Sequence, residues 1–317
     1  MARSSGPVVA ARDRLLIGTR GSRLALAQTK IVIDLLRDAA KGVELVPVVI
    51  RTSGDTLSQE RRGDMDGKTA FTGEIDTALV EGRVDISVHS MKDIPSQIDQ
   101  AIVVAATPVR GDARDALVSA SGVRFAELKK GARVGTSSVR RRAQILAARS
   151  DLEVVEVHGN VETRLSKVGD GGLDGVVLAA AGLERLNLGG RISQLFQPQE
   201  MVPAVCQGII AVETRKDDRD LTELVRGVDD PGTRAASECE RALSEELGGD
   251  CDVPLGAYAE ARDGTMTVVG VVADPEGRSV VRKSVTGTAD DPRSVGKRLA
   301  ETLRDSGGRR ILEGFRA

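Results

Sequence analysis

The chain has 317 residues, of which 40% are apolar, and a formal net charge of -2. The length and apolar content predict two or three folded domains. The net charge excludes an overall positive field that would attract nucleic acid or acidic membranes. The absence of Trp, with one Tyr and four Phe, also argues against proteins that stack bases on aromatic side chains.

The cysteines and the N-terminus argue against disulfide-rich, metal-binding, secreted and membrane-spanning proteins. Cys206, Cys239 and Cys251 form no CxxC motif, and there are two histidines, so we expect neither a disulfide framework nor a metal site. We predict that Cys239 is a core residue of a long helix. The N-terminus lacks the apolar stretch of a secretory signal, and no apolar run reaches membrane-spanning length. We therefore expect a soluble, cytoplasmic protein with neither a membrane nor a nucleic-acid partner.

The first predicted elements are a strand at Leu15–Thr19 and a helix that Ser22 caps. The apolar spacing of this helix predicts that one face is buried. That face carries Leu24, Ala27, Ile31 and Leu35. A second strand follows at Val43–Ile50.

Residues 52–70 are polar and rich in glycine, and two interpretations are open. A loop of this length is often an active-site lid, but a plain disordered insertion has the same composition. The next strand lies within Val84–Pro95 and places Asp93 at its C-terminal end, where ligand sites of open α/β sheets lie. An aspartate that caps the turn before Pro95 is an equally good interpretation.

The stretch Val134–Gln144, VGTSSVRRRAQ, is the most informative in the chain. It predicts a strand, a cap at Ser138 and a helix whose first turn carries Arg140 and Arg141. Cations are unfavourable at a helix N-terminus, where free N–H groups suit an anion. We therefore interpret this stretch as a site for a ligand with several negative charges, with a solvated basic helix start as the alternative. If the arginines bind such a ligand, Leu substitutions there should impair its binding and cost little stability.

The rest of the chain alternates strands and helices, which predicts parallel, doubly wound sheets. IGTRGSRLALAQ and VGTSSVRRRAQ share a strand, a Gly-Thr turn, a serine cap and a helix, so we infer two related lobes that face each other across a cleft. We predict a strand at Pro203–Arg215. The expected domains are 13–108 with 209–228, then 109–208, and a third at 229–317 that contains a β-meander.

Most of the candidate binding residues follow strand ends and are basic. No GxGxxG or GxxxxGK[ST] motif is present, and arginine forks match carboxylates, so we expect a polycarboxylate ligand rather than a nucleotide. The predicted basic residues are Arg20, Arg23, Arg140, Arg141, Arg164 and Arg185. Asp93 would be the acid among them, suited to stabilising a cation or moving a proton.

Several motifs in the same order resemble the porphobilinogen deaminase, or hydroxymethylbilane synthase, family. They are IGTRGSRLALAQ, VHSMKDIP, VGTSSVRRRAQ, GNVETRLSK, AAGLERL, PAVCQG and GGDCDVPLG. The resemblance implies an α/β fold with two periplasmic-binding-protein-like lobes joined by two crossovers, plus a small α/β domain. It also implies a monomeric transferase that joins four porphobilinogens head to tail and releases ammonia, giving hydroxymethylbilane.

The resemblance also assigns roles to individual residues. It implies that a dipyrromethane cofactor is attached to Cys251 as a thioether, whereas by its setting alone Cys251 is an ordinary loop cysteine. Asp93 would be catalytic. The implied cofactor-binding residues are Arg140, Arg141, Ser138, Lys92, Ser22 and Arg164. The implied substrate-binding residues are Arg20, Arg185, His158, Lys68, Phe71 and Gln207.

Three departures from the family pattern stand out. The end of the predicted lid reads GKTAF rather than the commoner Gly-Lys-Gly-aliphatic-Phe, and two single positions differ. His158 occupies a position that usually carries arginine, and Cys206 stands where glycine is usual. A specialised paralogue with an altered substrate is one alternative. The other is a non-catalytic two-lobed binding or sensor protein for polycarboxylate pyrroles, because two-lobed folds serve both purposes.

Overall fold

A computed structural model describes residues 12–53, 69–248 and 254–316, without the side chains of 69–71 and 315–316. The elements up to the first change of compact unit are β1 (Arg14–Thr19), α1 (Arg23–Leu36), β2 (Glu44–Val49), α2 (Thr69–Val80), β3 (Ile86–Ser90) and β4 (Ile102–Ala106).

The middle of the chain has short strands and helices. They are β5 (Asp115–Ser119), β6 (Arg133–Gly135), α3 (Val139–Ala148), β7 (Glu153–Val155), α4 (Val161–Leu165), β8 (Gly175–Ala179), α5 (Ala180–Arg185) and β9 (Gln194–Leu195). The remaining elements are β10 (Ile210–Arg215), α6 (Arg219–Arg226), α7 (Pro231–Leu247), β11 (Leu255–Arg262), β12 (Thr265–Ala273), β13 (Val280–Thr288), α8 (Pro292–Leu303) and α9 (Arg309–Arg316).

These elements form two compact units. The first combines the described residues up to Arg110 with Ile209–Arg234, and the second combines Gly111–Gly208 with the described residues from Ala235 onward. The predicted third domain, 229–317, belongs from Ala235 onward to the second unit, and its independence as a domain stays a prediction. Among the described residues, no helix is long and apolar enough to cross a membrane.

The two five-stranded sheets have the same arrangement. Their strand orders are β2-β1-β3-β10-β4 and β7-β6-β8-β5-β9. In each sheet the first three strands are parallel and the fourth runs antiparallel to both of its neighbours. Both sheets are thus mixed rather than wholly parallel, because β10 and β5 enter them in the opposite direction. The shared order supports the inference that the two lobes are related.

Helices cover both faces of the second sheet. Leu117 of β5 packs with Val134 and Ile145, whereas its neighbours Ala116 and Val118 pack into a separate cluster. Alternate residues of one strand therefore reach two cores, as expected for a sheet covered on both sides. In the first unit, β1, β3 and β10 form the core with α1 and α6.

The antiparallel β11-β12-β13 sheet confirms the predicted meander. Its core includes Cys239, which is fully buried, as predicted. Burial raises the pKa of the Cys239 thiol to about 12, so it is protonated at neutral pH.

Two local predictions were wrong. The buried face of α1 consists of Gln28, Thr29, Val32 and Leu36, whereas Ile31 and Leu35 are 36% and 46% exposed. Gln28 can be buried because its amide donates to Ser90 Oγ at 2.8 Å.

The predicted strand at Pro203–Arg215 begins only at Ile210. Cys206 and Gly208 have φ values of 58° and 88°, which are incompatible with a strand. The turn is held by the backbone N–H of Cys206, which donates to the buried Glu240 carboxylate at 2.6 Å.

Candidate functional site

In the first unit, the candidate residues meet at the carboxyl edge of parallel strands. β1 and β3 are neighbours, so Arg20, which follows β1, lies at the same edge as Asp93, which follows β3 in a single 3-10 turn. One pocket is lined by Arg20, Ser22 and Asp93. Ser22 caps α1 and accepts the N–H of Ala25 at 3.2 Å. The structure confirms that Asp93 follows the end of β3.

The Asp93 carboxylate is available to a ligand. The side chain is half-buried, and within the described part of the chain it makes no hydrogen bond or ion pair. It shares the pocket with His89, Gln28 and Ser90. Burial, assisted by the positive charge of Arg20, lowers the pKa of His89 to about 4. The imidazole is therefore neutral at neutral pH. The Asp93 carboxylate thus shares its pocket with an uncharged histidine.

In the second unit, the basic residues follow the parallel strands β6, β7 and β8. Arg140 and Arg141 open α3 after β6, and Ser138 caps this helix by accepting the N–H of Arg141 at 3.4 Å. Asp115 lies at the same edge because β5 starts there, opposite Ala179 at the end of β8. The register of β5 thus supplies a carboxylate to the start of α3.

Arg140 and Arg141 are buried, with 4% and 5% exposure, and both pair with Asp115. Arg140 Nη1 donates to Asp115 Oδ2 at 2.7 Å and to the carbonyl of Val202. Arg141 Nε donates to Asp115 Oδ1 at 2.9 Å. The alternative of a solvated helix start is wrong, because both side chains are buried against a carboxylate. Since that carboxylate compensates the helix-end penalty, the expected stability cost of replacing either arginine becomes larger than the sequence indicated.

The charges of this cluster do not balance. Burial alone would raise the pKa of Asp115, but the two guanidiniums and hydrogen bonds from Arg140 and Gln207 hold it well below its usual range. One carboxylate therefore faces two cations. Burial also lowers the pKa of Arg140, against the opposing pull of Asp115. Its Nε is buried and has no hydrogen-bond partner among the described residues.

Gln207 belongs to the same cluster. Its amide donates to Asp115 Oδ1 at 2.9 Å and to the carbonyl of Ala113 at 2.7 Å, and its oxygen accepts from Arg141 at 3.3 Å. The side chain is fully buried. In this structure Gln207 positions Asp115 and Arg141, and its contact with substrate stays a prediction.

The other basic residues of the second unit make separate contacts. Arg185, at the end of α5, donates to the carbonyl of Gly208 at 2.6 Å, and burial lowers its pKa to about 10, so it stays charged. Arg164 donates to the carbonyl of Gly159 at 2.8 Å, and Asn160 caps α4. His158 Nε2 lies 2.8 Å from the carboxylate of Glu156.

Some predicted site residues fall outside this description. Cys251 and Lys68 lie outside the described residues, as do 54–68 of the predicted lid, and the side chain of Phe71 is not described. Lys92 is half-buried beside Asp93.

Two residues of the candidate sites, Asp115 and His89, were not predicted from the sequence. Asp115 could have been suspected as an acid inside the apolar run DALV, and His89 as a polar residue inside the apolar strand before Asp93.

Two family models match the chain. Residues 15–223 match "Porphobilinogen deaminase, dipyromethane cofactor binding domain", and residues 235–305 match "Porphobilinogen deaminase, C-terminal domain". The porphobilinogen deaminase of Roseiflexus sp. (strain RS-1) is 44% identical over 96% of this chain and 100% of its own length. That of Chromobacterium violaceum is 41% identical over 95% and 97%.

Among solved structures, the methionine-binding protein MetQ is 12% identical with a TM-score of 0.43, over 68% of this chain and 90% of its own. The two family models together cover most of the residues from 15 onward, and the relatives match at nearly full length. The chain belongs to the porphobilinogen deaminase family.

Proposed function

We propose that this chain joins four porphobilinogen molecules head to tail, with release of ammonia at each step, to give hydroxymethylbilane for tetrapyrrole biosynthesis. The observation that carries the proposal is the match of both family models, over 15–223 and 235–305. The chemistry of the site agrees with it. Each substrate brings an acetate and a propionate, so a growing chain accumulates carboxylates, which arginine forks bind well.

The residues of the second unit fit a dipyrromethane cofactor. A buried guanidinium with an unpartnered Nε, in a cluster with one surplus positive charge, is suited to a carboxylate-bearing group. When bound, the cofactor supplies the pyrrole to which the first substrate is joined. Cys251 would hold it as a thioether. The residues proposed to bind its carboxylates are Arg140, Arg141, Ser138, Lys92, Ser22 and Arg164.

Asp93 is the proposed catalytic residue. Loss of ammonia from porphobilinogen leaves an electron-poor, positively charged methylene pyrrole, and a fixed carboxylate stabilises that charge when water is excluded. The half-buried, unpaired Asp93 in a pocket with Arg20 suits this task. We propose that Arg20, Arg185, His158, Lys68 and Phe71 contact the substrate. His158 would bind a carboxylate in competition with Glu156.

We further propose that the protein works as a cytoplasmic monomer without nucleic-acid or membrane partners. The near-neutral net charge and the scarcity of aromatic residues support the absence of nucleic-acid and membrane partners.

An intact-mass measurement on Cys251→Ser tests the proposal. We expect the wild-type protein to carry the added mass of two pyrrole units and to consume porphobilinogen, and Cys251→Ser to lack both properties. Cys239→Ala, at a free cysteine buried in the hydrophobic core, is the matched control and should keep the added mass. An unmodified wild-type thiol with no turnover would favour the sensor alternative, and normal turnover by Cys251→Ser would refute the attachment.

A further inference from the structure

Three side chains from different elements of the first unit converge beside the Asp93 pocket. Asp76 lies on α2, His89 on β3 and Glu213 on β10. β3 and β10 are antiparallel neighbours in which Glu213 is opposite Ser87, two residues from His89. Ser87 and His89 therefore point to the same face of the sheet as Glu213, and Asp76 reaches that face from α2.

The converging atoms all carry lone pairs. His89 Nε2 lies 3.4 Å from Glu213 Oε2 and 3.6 Å from Asp76 Oδ1. The side chains of His89 and Glu213 are almost wholly buried, at 3% and 2% exposure. Among the described residues, His89 Nε2 and Asp76 Oδ1 have no hydrogen-bond partner. Buried polar atoms in this condition are costly unless a cation or donor lies between them.

The spacing distinguishes between possible cations. A zinc-sized ion sits about 2.0–2.1 Å from nitrogen and oxygen ligands, so ligand atoms 3.4–3.6 Å apart subtend roughly the tetrahedral angle at the ion. An ammonium ion needs acceptors about 2.8–3.0 Å from its nitrogen, which would place tetrahedral acceptors roughly 4.6 Å apart. The two distances from His89 Nε2 fit the metal ion better, and the Asp76 and Glu213 oxygens lie within 4.8 Å of each other.

We propose that Asp76, His89 and Glu213 form a binding site for a divalent transition-metal ion of the size of Zn²⁺. An imidazole with two carboxylates favours such an ion over Mg²⁺ or Ca²⁺, which prefer all-oxygen sites. Ser87 Oγ donates to Glu213 Oε2 at 2.9 Å and orients this ligand. Cysteine and histidine motifs could not predict this site, because its three ligands are far apart in the chain.

Zinc titration of the full-length holoprotein, after chelator treatment and dialysis, tests this proposal. We expect one tightly bound Zn²⁺ per chain by calorimetry and elemental analysis. His89→Gln should weaken binding at least tenfold, since loss of even an outer-shell partner typically costs about 10–100-fold. The matched control is His158→Gln, the chain's other histidine, which should bind as the wild type does. Absence of stoichiometric binding, or equal affinity in His89→Gln, would overturn the proposal.

A second variant guards against a folding defect in His89→Gln. The Asp76 side chain is 24% exposed, so Asp76→Asn should fold, and its control Asp99→Asn lies on the wall of an adjoining pocket. We expect only Asp76→Asn to lose affinity. Cobalt substitution should give the absorption of a four-coordinate site without a thiolate band. Equal affinity in both variants, or a thiolate band that places the ion on a cysteine, would contradict the assignment. These readouts do not depend on porphobilinogen turnover.

Discussion

Arg140 Nη1 lies 2.7 Å from Asp115 Oδ2, and Arg141 Nη2 lies 2.8 Å from the other carboxylate oxygen. A single buried acid thus compensates two cations at the N-terminus of α3. The pairing keeps both guanidiniums fixed before any ligand arrives, which lowers the entropy cost of binding a carboxylate. It also couples the stability of the fold to the residues proposed to hold the cofactor.

Replacing Asp115 by Asn should destabilise the fold at neutral pH. Removal of one partner from a buried ion pair costs about 3–5 kcal/mol. The folded-state pKa of Asp115 lies below its unfolded value, so the stability it contributes is present above about pH 4 and is lost as the pH falls further. Urea unfolding at neutral and acidic pH should therefore show a smaller pH dependence in Asp115→Asn than in the wild type.

The matched control for that experiment is Asp34→Asn, which removes an exposed partner of Lys30. Exposed ion pairs contribute little, so its unfolding curve should overlay the wild-type curve. If Asp115→Asn unfolds at the wild-type urea concentration, the buried pair does not support the fold.

Arg141→Leu should reduce both stability and cofactor loading. It leaves Asp115 with one cation and removes a proposed carboxylate ligand. Arg142→Leu is the control, because Arg142 forms an exposed pair with Glu276 at 2.8 Å. Intact mass and urea unfolding should show defects only in Arg141→Leu. The double variant Asp115→Asn/Arg141→Leu should lose less stability than the two single losses added together, by about 1 kcal/mol or more. Simple additivity would show that the two residues act independently.

Asp93→Asn should lower kcat for porphobilinogen by about 10²–10³, because it removes a charge that stabilises the developing cation. Asp93→Glu keeps the charge and should retain more activity. Both variants should fold like the wild type, since the Asp93 carboxylate pairs with nothing in the described residues. Steady-state turnover measures this order. An Asn variant that equals the wild type, or exceeds the Glu variant, would rule out a role for the charge.

Cys206→Gly should be more stable than Cys206→Ala by about 1–2 kcal/mol. Cys206 has a φ of 58°, a left-handed conformation that costs a residue with a Cβ roughly that amount. Both variants lose the buried sulfur. The difference between their free energies of unfolding therefore reports the cost of the left-handed backbone conformation. Thermal unfolding of the pair provides the measurement. Equal melting temperatures would mean that the turn relaxes to accommodate a side chain.

The sequence predicted what depends on neighbouring residues. Ser22 and Ser138 were identified as caps because a cap needs only the polar side chain and the N–H groups that follow it. The position of Asp93 after β3 was predicted for the same reason, since a short apolar run sets the strand end.

Contacts between distant segments were not predictable in this way. Asp115 lies 25 residues before Arg140, and the two meet because β5 enters the sheet antiparallel to β8. The face of α1 was misjudged because burial of Gln28 depends on a hydroxyl of Ser90, 62 residues away. Apolar spacing alone cannot report a buried amide that finds a distant partner.

The position of β10 sets an order in which the units can be completed during synthesis. β10 lies between β3 and β4, so the first sheet lacks an interior strand until the ribosome has made Ile210–Arg215. The second sheet is continuous in the chain from β5 to β9 and has all its strands once Leu195 emerges. The second sheet can therefore form completely before the first sheet. Until β10 has been synthesised, β3 and β4 each have an edge without a hydrogen-bonded neighbour.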